Sequence, residues 1–166
     1  MRWCLSHRAD PRAADLADRH YNRQHVGAAQ FVPPGRCVVL YTETATGRAF
    51  WITSWPFAAY VKHAWAGAWV CSAFRNEGAG LSSELIREAV SATLALWPTL
   101  PDLGMVTFVD AEKTRRKRDP GRCFRRAGFV PATPPTTQGG LVALQLLPAA
   151  MPSSEWPIGG QRALFG

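Results

Sequence analysis

Acidic side chains are the scarce class in this chain: twelve Asp and Glu face nineteen Lys and Arg, leaving a net charge of +7. That balance, with a pI near 9.8, points to an anionic partner. Cysteine is sparse too. Cys4, Cys37, Cys71 and Cys123 stand far apart without a C-x-x-C pair, which argues against a zinc ribbon or a disulfide framework. Cys37 and Cys71 sit in apolar, strand-like runs, where a thiol behaves as a small core side chain. No run approaches the ~20 apolar residues that span a bilayer, so no membrane partner is expected. The first residues carry Arg2, His7 and Arg8 among few apolar ones, unlike a secretory signal, and the expectation is a soluble, cytoplasmic protein. Internal repeats, the G-x-S-x-G elbow and H-E-x-x-H are absent, which removes the serine hydrolase and zincin readings. Disorder is excluded by the 47% of apolar residues and seven tryptophans.

What is present is organised around residues 68–97. An apolar, β-prone run, Ala68 to Phe74, is followed by the polar turn Arg75-Asn76-Glu77-Gly78-Ala79-Gly80. Beyond it Leu81, Leu85, Ile86, Ala89, Val90, Thr93 and Trp97 recur at helical spacing until Pro98. Strand, glycine turn and helix in that order leave unpartnered N–H groups and a positive dipole end at the turn, where an anion such as phosphate is favoured. A plain packing turn is the alternative reading of two glycines.

Taken from the start, residues 10–24 read as a helix capped by Asp10 with Pro11 in its first turn. Arg36 to Thr42 and Arg48 to Ser54 form a hairpin. Gly104 to Asp110 is a buried strand ending on a carboxylate, and a short helix runs to Ala127. Phe129-Val130 and Leu141 to Leu147 are the last strands. Residues 1–147 are expected to form a single domain, and 148–166 a loosely ordered Pro/Gly-rich tail. The fold class is α/β. Eight positive charges fall between Lys113 and Arg126, including Lys113, Arg115, Arg116, Lys117, Arg118 and Arg122. They read either as a phosphate clamp or solvated loop, or as a nucleic-acid footprint.

Arg75-x-x-Gly78-x-Gly80 resembles the pyrophosphate-binding turn of the GNAT acyltransferase superfamily. Cys123-Phe124-Arg125-Arg126-Ala127-Gly128-Phe129, about forty residues on, is similar to that superfamily's second conserved helix. The resemblance covers residues 36–147. It implies a mixed sheet with an antiparallel N-terminal meander, a central parallel pair splayed at the cofactor site and helices on both faces. It also implies acetyl-CoA as cofactor, held by Arg75, Asn76, Gly78, Ala79, Gly80, Leu81 and Ser82. Many members use a tyrosine as general acid where this chain has Phe124, which has no proton to give. Glu77 is a residue that could reach a substrate amine.

His20-Tyr21 before the sheet, the Arg75-Asn76 turn, Asp110 and the basic loop together resemble the Mom-type DNA modification proteins of bacteriophages. That resemblance implies modification of the adenine N6 amine in double-stranded DNA by an acetamido or carbamoylmethyl group, as protection against restriction. It places the catalytic positions on His20, Tyr21 and Asp110, and implies iron, for which the same three residues are ligands of suitable type. Base flipping would be required, with Trp51, Trp55, Trp65 and Trp69 as stacking candidates. Asp110 is also read as a turn anchor, and the tryptophans as core. Two other functions stay open: a conventional N-acyltransferase acting on a small amine, a protein or an RNA, and a non-catalytic nucleic-acid binder. Acyl-CoA and DNA are the expected partners, with a homodimer left open.

Overall fold

Alternation along the strands decides the layers. In a computed structural model that describes residues 1–20, 23, 25–113, 119–133 and 140–161, β2 (Arg36–Thr44) and β3 (Gly47–Trp55) form the expected hairpin. Val38, Leu40, Ala49 and Trp51 point to one face of it and Val39, Tyr41, Phe50 and Ile52 to the other. Both faces are apolar, so both need a cover.

Helix α2 (Ser82–Leu96) covers the first face with Leu85, Ile86, Ala89 and Val90. The opposite face takes α1 (Pro11–Asp18), through Ala13, Leu16 and Ala17. Asp10 caps α1 as the sequence suggests, accepting the Arg12 backbone N–H at 3.0 Å. The Arg12 guanidinium and the Ser6 hydroxyl also bond its carboxylate, and its pKa falls to about 2. Helix α1 is shorter than the 10–24 expected. Asp18 takes the Arg23 guanidinium and the Gly27 N–H, turning the chain back where the pattern alone would have let it continue.

The sheet is mixed, open and seven-stranded, in the order β1-β2-β3-β4-β5-β7-β6. Its remaining strands are β1 (Cys4–Leu5), β4 (Trp69–Glu77), β5 (Met105–Asp110), β6 (Val130–Pro131) and β7 (Leu141–Leu146). All neighbours are antiparallel except β4 and β5, the one parallel pair. Helix α3 (Arg122–Arg126) packs beside α2.

Residues 148–161 do not hang loose, contrary to expectation. Ser91 Oγ donates to the Ser153 carbonyl at 2.6 Å, and Ile158 exchanges backbone bonds with Trp3 and Leu5 at 2.9 Å each. The segment forms a strap across α2 to β1, adding a parallel bridge that turn-rich composition conceals. No helix among the described residues is long and apolar enough to cross a membrane.

Candidate functional site

The site begins with a defect in β4. Along β3, Ala73 faces Ile52 and Cys71 faces Thr53, so Ser72 is an extra residue, a β-bulge. A bulge bends its strand and tightens the local twist. Pairing between β4 and β5 stops at the same place: Trp69, Val70 and Cys71 match Met105, Val106 and Thr107, and no pair follows. Beyond it β4 continues along β3 and β5 along β7, and the two part. Ser72 Oγ lies 2.6 Å from Ser54 Oγ, fixing the bulge to its neighbour.

A cavity of about 520 Å³ fills the gap. Ala73 and Phe74 wall one side and Phe108 and Val109 the other, with Cys123 and Phe124 beneath. Phe124 lies in an aromatic cluster, its ring centroid 6.2 Å from Phe74 and 5.3 Å from Phe129. Cys71 also lines the gap; burial pushes its thiol pKa well up and keeps it protonated.

The turn after β4 is held by Asn76. Its Oδ1 accepts the Ala79 N–H at 2.9 Å, and its Nδ2 donates to the Gly80 carbonyl and to Ser82 Oγ at 2.8 and 2.9 Å. Gly78 has φ +85°, and an added Cβ would meet the Thr46 carbonyl at 2.9 Å. Of the residues assigned to the cofactor, Arg75, Asn76 and Ser82 line the cavity. Gly80, Leu81 and Ser82 line a groove that leads on from it, opposite Arg122 and Arg126. Ala79 is buried and Gly78 packs on the hairpin, so these two shape the turn rather than face the opening. The first N–H groups of α2 have no helical partner and open onto the same groove, which suits an elongated ligand carrying phosphates.

Glu77 is not available as a base toward a substrate amine. Arg19 grips it with two bonds of 2.9 and 2.8 Å and Arg75 adds a third at 2.5 Å. These hydrogen bonds, Arg19 first, hold its carboxylate at a pKa of about 2. Arg19 in turn reaches Asp15, which also binds Arg48, and Arg75 donates to the Arg19 carbonyl at 2.7 Å. Arg19 was not singled out from the sequence. Only its place beside His20, at the end of a helix preceding the sheet, could have marked it.

His20 stands on a shared wall. It lines the first cavity and also a second, of about 440 Å³, between the end of α1 and the loop through Phe31 and Pro34. Its ring meets Phe50 edge-on at 6.3 Å. Asp110 ends β5 as expected but serves the next turn, accepting the backbone N–H groups of Glu112 and Lys113 at 3.0 Å each. It does not line the first cavity, whereas Lys113 does. Tyr21, Arg115, Arg116, Lys117 and Arg118 lie outside the described residues. Among those described, no three His, Cys, Asp or Glu side chains gather around one point. Trp51, Trp65 and Trp69 are buried in the core and line neither cavity.

Neither cavity is lined by an Asp or Glu among the described residues, while Arg19, Arg75 and Lys113 all face the first. The groove that leads on from the first carries Asp119 beside Arg122 and Arg126. Comparison with protein-family models, with curated proteins and with solved structures finds no match to this chain.

Proposed function

We propose that this chain is a GNAT-type transferase that takes acetyl-CoA at the split between β4 and β5 and modifies adenine N6 in DNA, in the manner of Mom-type proteins. The observation that carries the reading is the lining of the opening: Arg19, Arg75 and Lys113 line it, the first two already paired with Glu77, and among the described residues no carboxylate lines it. A donor with a pyrophosphate and an acceptor borne on a polyanion both fit such a site. An alkylammonium would have no counter-charge there.

The geometry of the split supports this place for the donor. β4 and β5 lose each other as partners beyond Cys71 and Thr107, so their inner backbone groups are open to an amide-bearing arm laid between them. Phosphates would lie at Arg75, the start of α2 and Arg122. When bound, an acyl-CoA supplies an activated carbonyl: a C–N bond forms as the C–S bond breaks, the amine loses one proton and the thiolate gains one. His20, which lines the cavity, would take the acceptor's proton. Phe124 gives the thiolate no proton, so that proton comes from another group or from water. Thioester chemistry alone delivers an acyl group; a carbamoylmethyl product, joined through the methyl carbon, needs a two-electron oxidant and a nitrogen donor as well.

The basic stretch supports a nucleic-acid acceptor. Lys113 lines the cavity, and in the sequence it opens the basic run that continues through Arg115, Arg116, Lys117 and Arg118.

The test is mass spectrometry of nucleosides from DNA of cells expressing the chain, beside His20→Ala and Arg75→Ala controls. A new deoxyadenosine species lost in both controls is expected, and its mass distinguishes acyl from carbamoylmethyl. Unmodified DNA together with acetyl-CoA binding by the purified chain replaces this reading with transfer to a small amine, a protein or an RNA. Loss of both leaves a non-catalytic binder.

A further inference from the structure

We propose that the second cavity is the acceptor subsite and that its ligand is a neutral heteroaromatic base, entering with one edge toward His20. The inference rests on the transferase reading only for its direction, donor on one side and acceptor on the other. The cavity itself is argued from what surrounds it.

A group transfer needs donor and acceptor subsites that adjoin, because the reacting atoms must come within van der Waals contact of each other. His20, Ser72 and Ala73 line both. The shared wall is therefore the bulge of β4 with Ala73, plus His20, the second residue after α1. The second cavity lies on the α1 face of the sheet and has a preformed roof. Arg23 holds the loop by donating to the Ala28 carbonyl at 2.8 Å and the Gln30 carbonyl at 3.4 Å, with Asp18 neutralising its charge at 2.8 Å. The Phe31 N–H reaches the Arg8 carbonyl at 3.3 Å, closing the loop onto the segment before α1.

The walls select the ligand. Phe31 and Phe50 are buried and meet edge-to-face at 6.0 Å, and Val32 and Ile52 complete an apolar lining. Apolar walls with His20, Arg23, His25, Gln30 and Ser72 among the lining match a flat ring whose faces are apolar and whose edge is polar. Base stacking on aromatic side chains is tolerant of sequence, while Gln is suited to the donor–acceptor edge of adenine. The absence of a lining carboxylate disfavours a protonated alkyl amine, and an aromatic amine such as adenine N6 carries no charge to compensate.

Isothermal titration of the purified full chain with deoxyadenosine, with propylamine and separately with acetyl-CoA tests this. Deoxyadenosine is used without phosphate so that the basic rim contributes nothing. Val32→Trp fills the cavity from a position that does not line the first one. It is expected to weaken deoxyadenosine binding by at least about tenfold and to change acetyl-CoA affinity by less than about twofold. Phe31→Leu, which keeps bulk but removes the ring, should cost about fivefold to tenfold for the nucleoside alone. Circular dichroism establishes folding of each variant, and Phe31→Leu carries the test if Val32→Trp does not fold. Nucleoside binding that neither variant weakens overturns the proposal, as does a wild-type chain that takes acetyl-CoA but no nucleoside. Propylamine binding that Val32→Trp abolishes overturns the choice of base. If the nucleoside binds and is lost in the variants while acetyl-CoA does not bind, the subsite stands and the transferase reading fails.

Discussion

The two ends of the parallel pair are made of opposite materials. Where β4 and β5 are joined, Trp69 and Met105 are fully buried, and the rings of Trp55, Trp69 and Trp97 meet at 5.6 to 5.9 Å. Arg36 lies over this cluster, 4.7 Å from the Trp55 ring and 5.2 Å from Trp97. Where the strands part, the same β4 presents Arg75, Asn76 and Glu77, held by ion pairs and amide hydrogen bonds. One residue, Ser72, separates the regimes. Apolar burial contributes stability in proportion to area, whereas half-exposed ion pairs contribute little of it. The joined end therefore stabilises the fold and the parted end is free to serve a ligand.

The strongest attack on that division is Trp69→Ala. Emptying a fully buried tryptophan site should cost about 3–5 kcal/mol, read from urea unfolding, against little change for Arg75→Ala. Trp69→Phe should cost less, because the buried Trp69 Nε1 finds no hydrogen-bond partner and its loss leaves no acceptor behind. If Arg75→Ala destabilised as much as Trp69→Ala, the two ends would not be separable.

Gly47→Ala comes next in size and probes the one place where stability and the candidate site are joined. A Cβ there would lie 1.9 Å from the Glu77 carbonyl oxygen and 2.7 Å from the Gly78 carbonyl carbon. The hairpin turn and the turn after β4 must then separate, at about 1–3 kcal/mol by the usual cost of overpacking. Because the displaced backbone leads into the groove at α2, acetyl-CoA affinity measured by titration should fall with stability, a pairing that Trp69→Phe should not show.

Much of this was legible in residue order. The hairpin, α2 and the strand ending at Asp110 are strongly patterned, and each formed within two residues of where its pattern placed it. What escaped depends on partners distant in sequence. Strand β1 has two residues and exists because Tyr41 and Leu40 accept it as a neighbour. The strap at 148–161 is ordered by Ser91 and Trp3, which no local signal names. The bulge at Ser72 is set by register against β3, and without it the cavity would not open. At the candidate site, the turn residues were readable from glycine spacing, but their division into cavity-lining and turn-shaping members was not. Asn76 faces the cavity and also ties the turn, while Ala79 only shapes it. Glu77 looked like a reactive carboxylate because Arg19 lies 58 positions away.

Glu77 also gives a pH test of the parted end. Its folded pKa of about 2 lies below the ordinary 4.5, so its contribution is complete above 4.5 and is lost as pH falls through about 2. Wild type should exceed Glu77→Gln in stability at pH 7, and unfolding curves should converge between pH 4.5 and about 2. The gap at neutral pH should be small, since Arg19 and Glu77 are both partly solvated. A gap that persisted well below pH 2 would mean that the second acceptor oxygen, not the charge, is what Glu77 supplies.

Asp110→Asn is expected to have the smallest effect on the fold and draws the finest distinction. Asp110 Oδ1 accepts two backbone N–H groups, from Glu112 and Lys113, and an amide oxygen can accept the same two. Asn should therefore hold the turn with a stability change within about 0.5 kcal/mol, while Ala leaves both donors to water and loosens the rim that carries Lys113. If Asp110 is purely an anchor, Asn keeps DNA modification near wild type and Ala lowers it through the position of Lys113. If its negative charge takes part in the chemistry, Asn loses modification while its thermal unfolding and acetyl-CoA affinity stay unchanged. The Asn variant thus separates the anchor seen in the turn from the catalytic role that the sequence resemblance implies, and it does so without disturbing either end of the sheet.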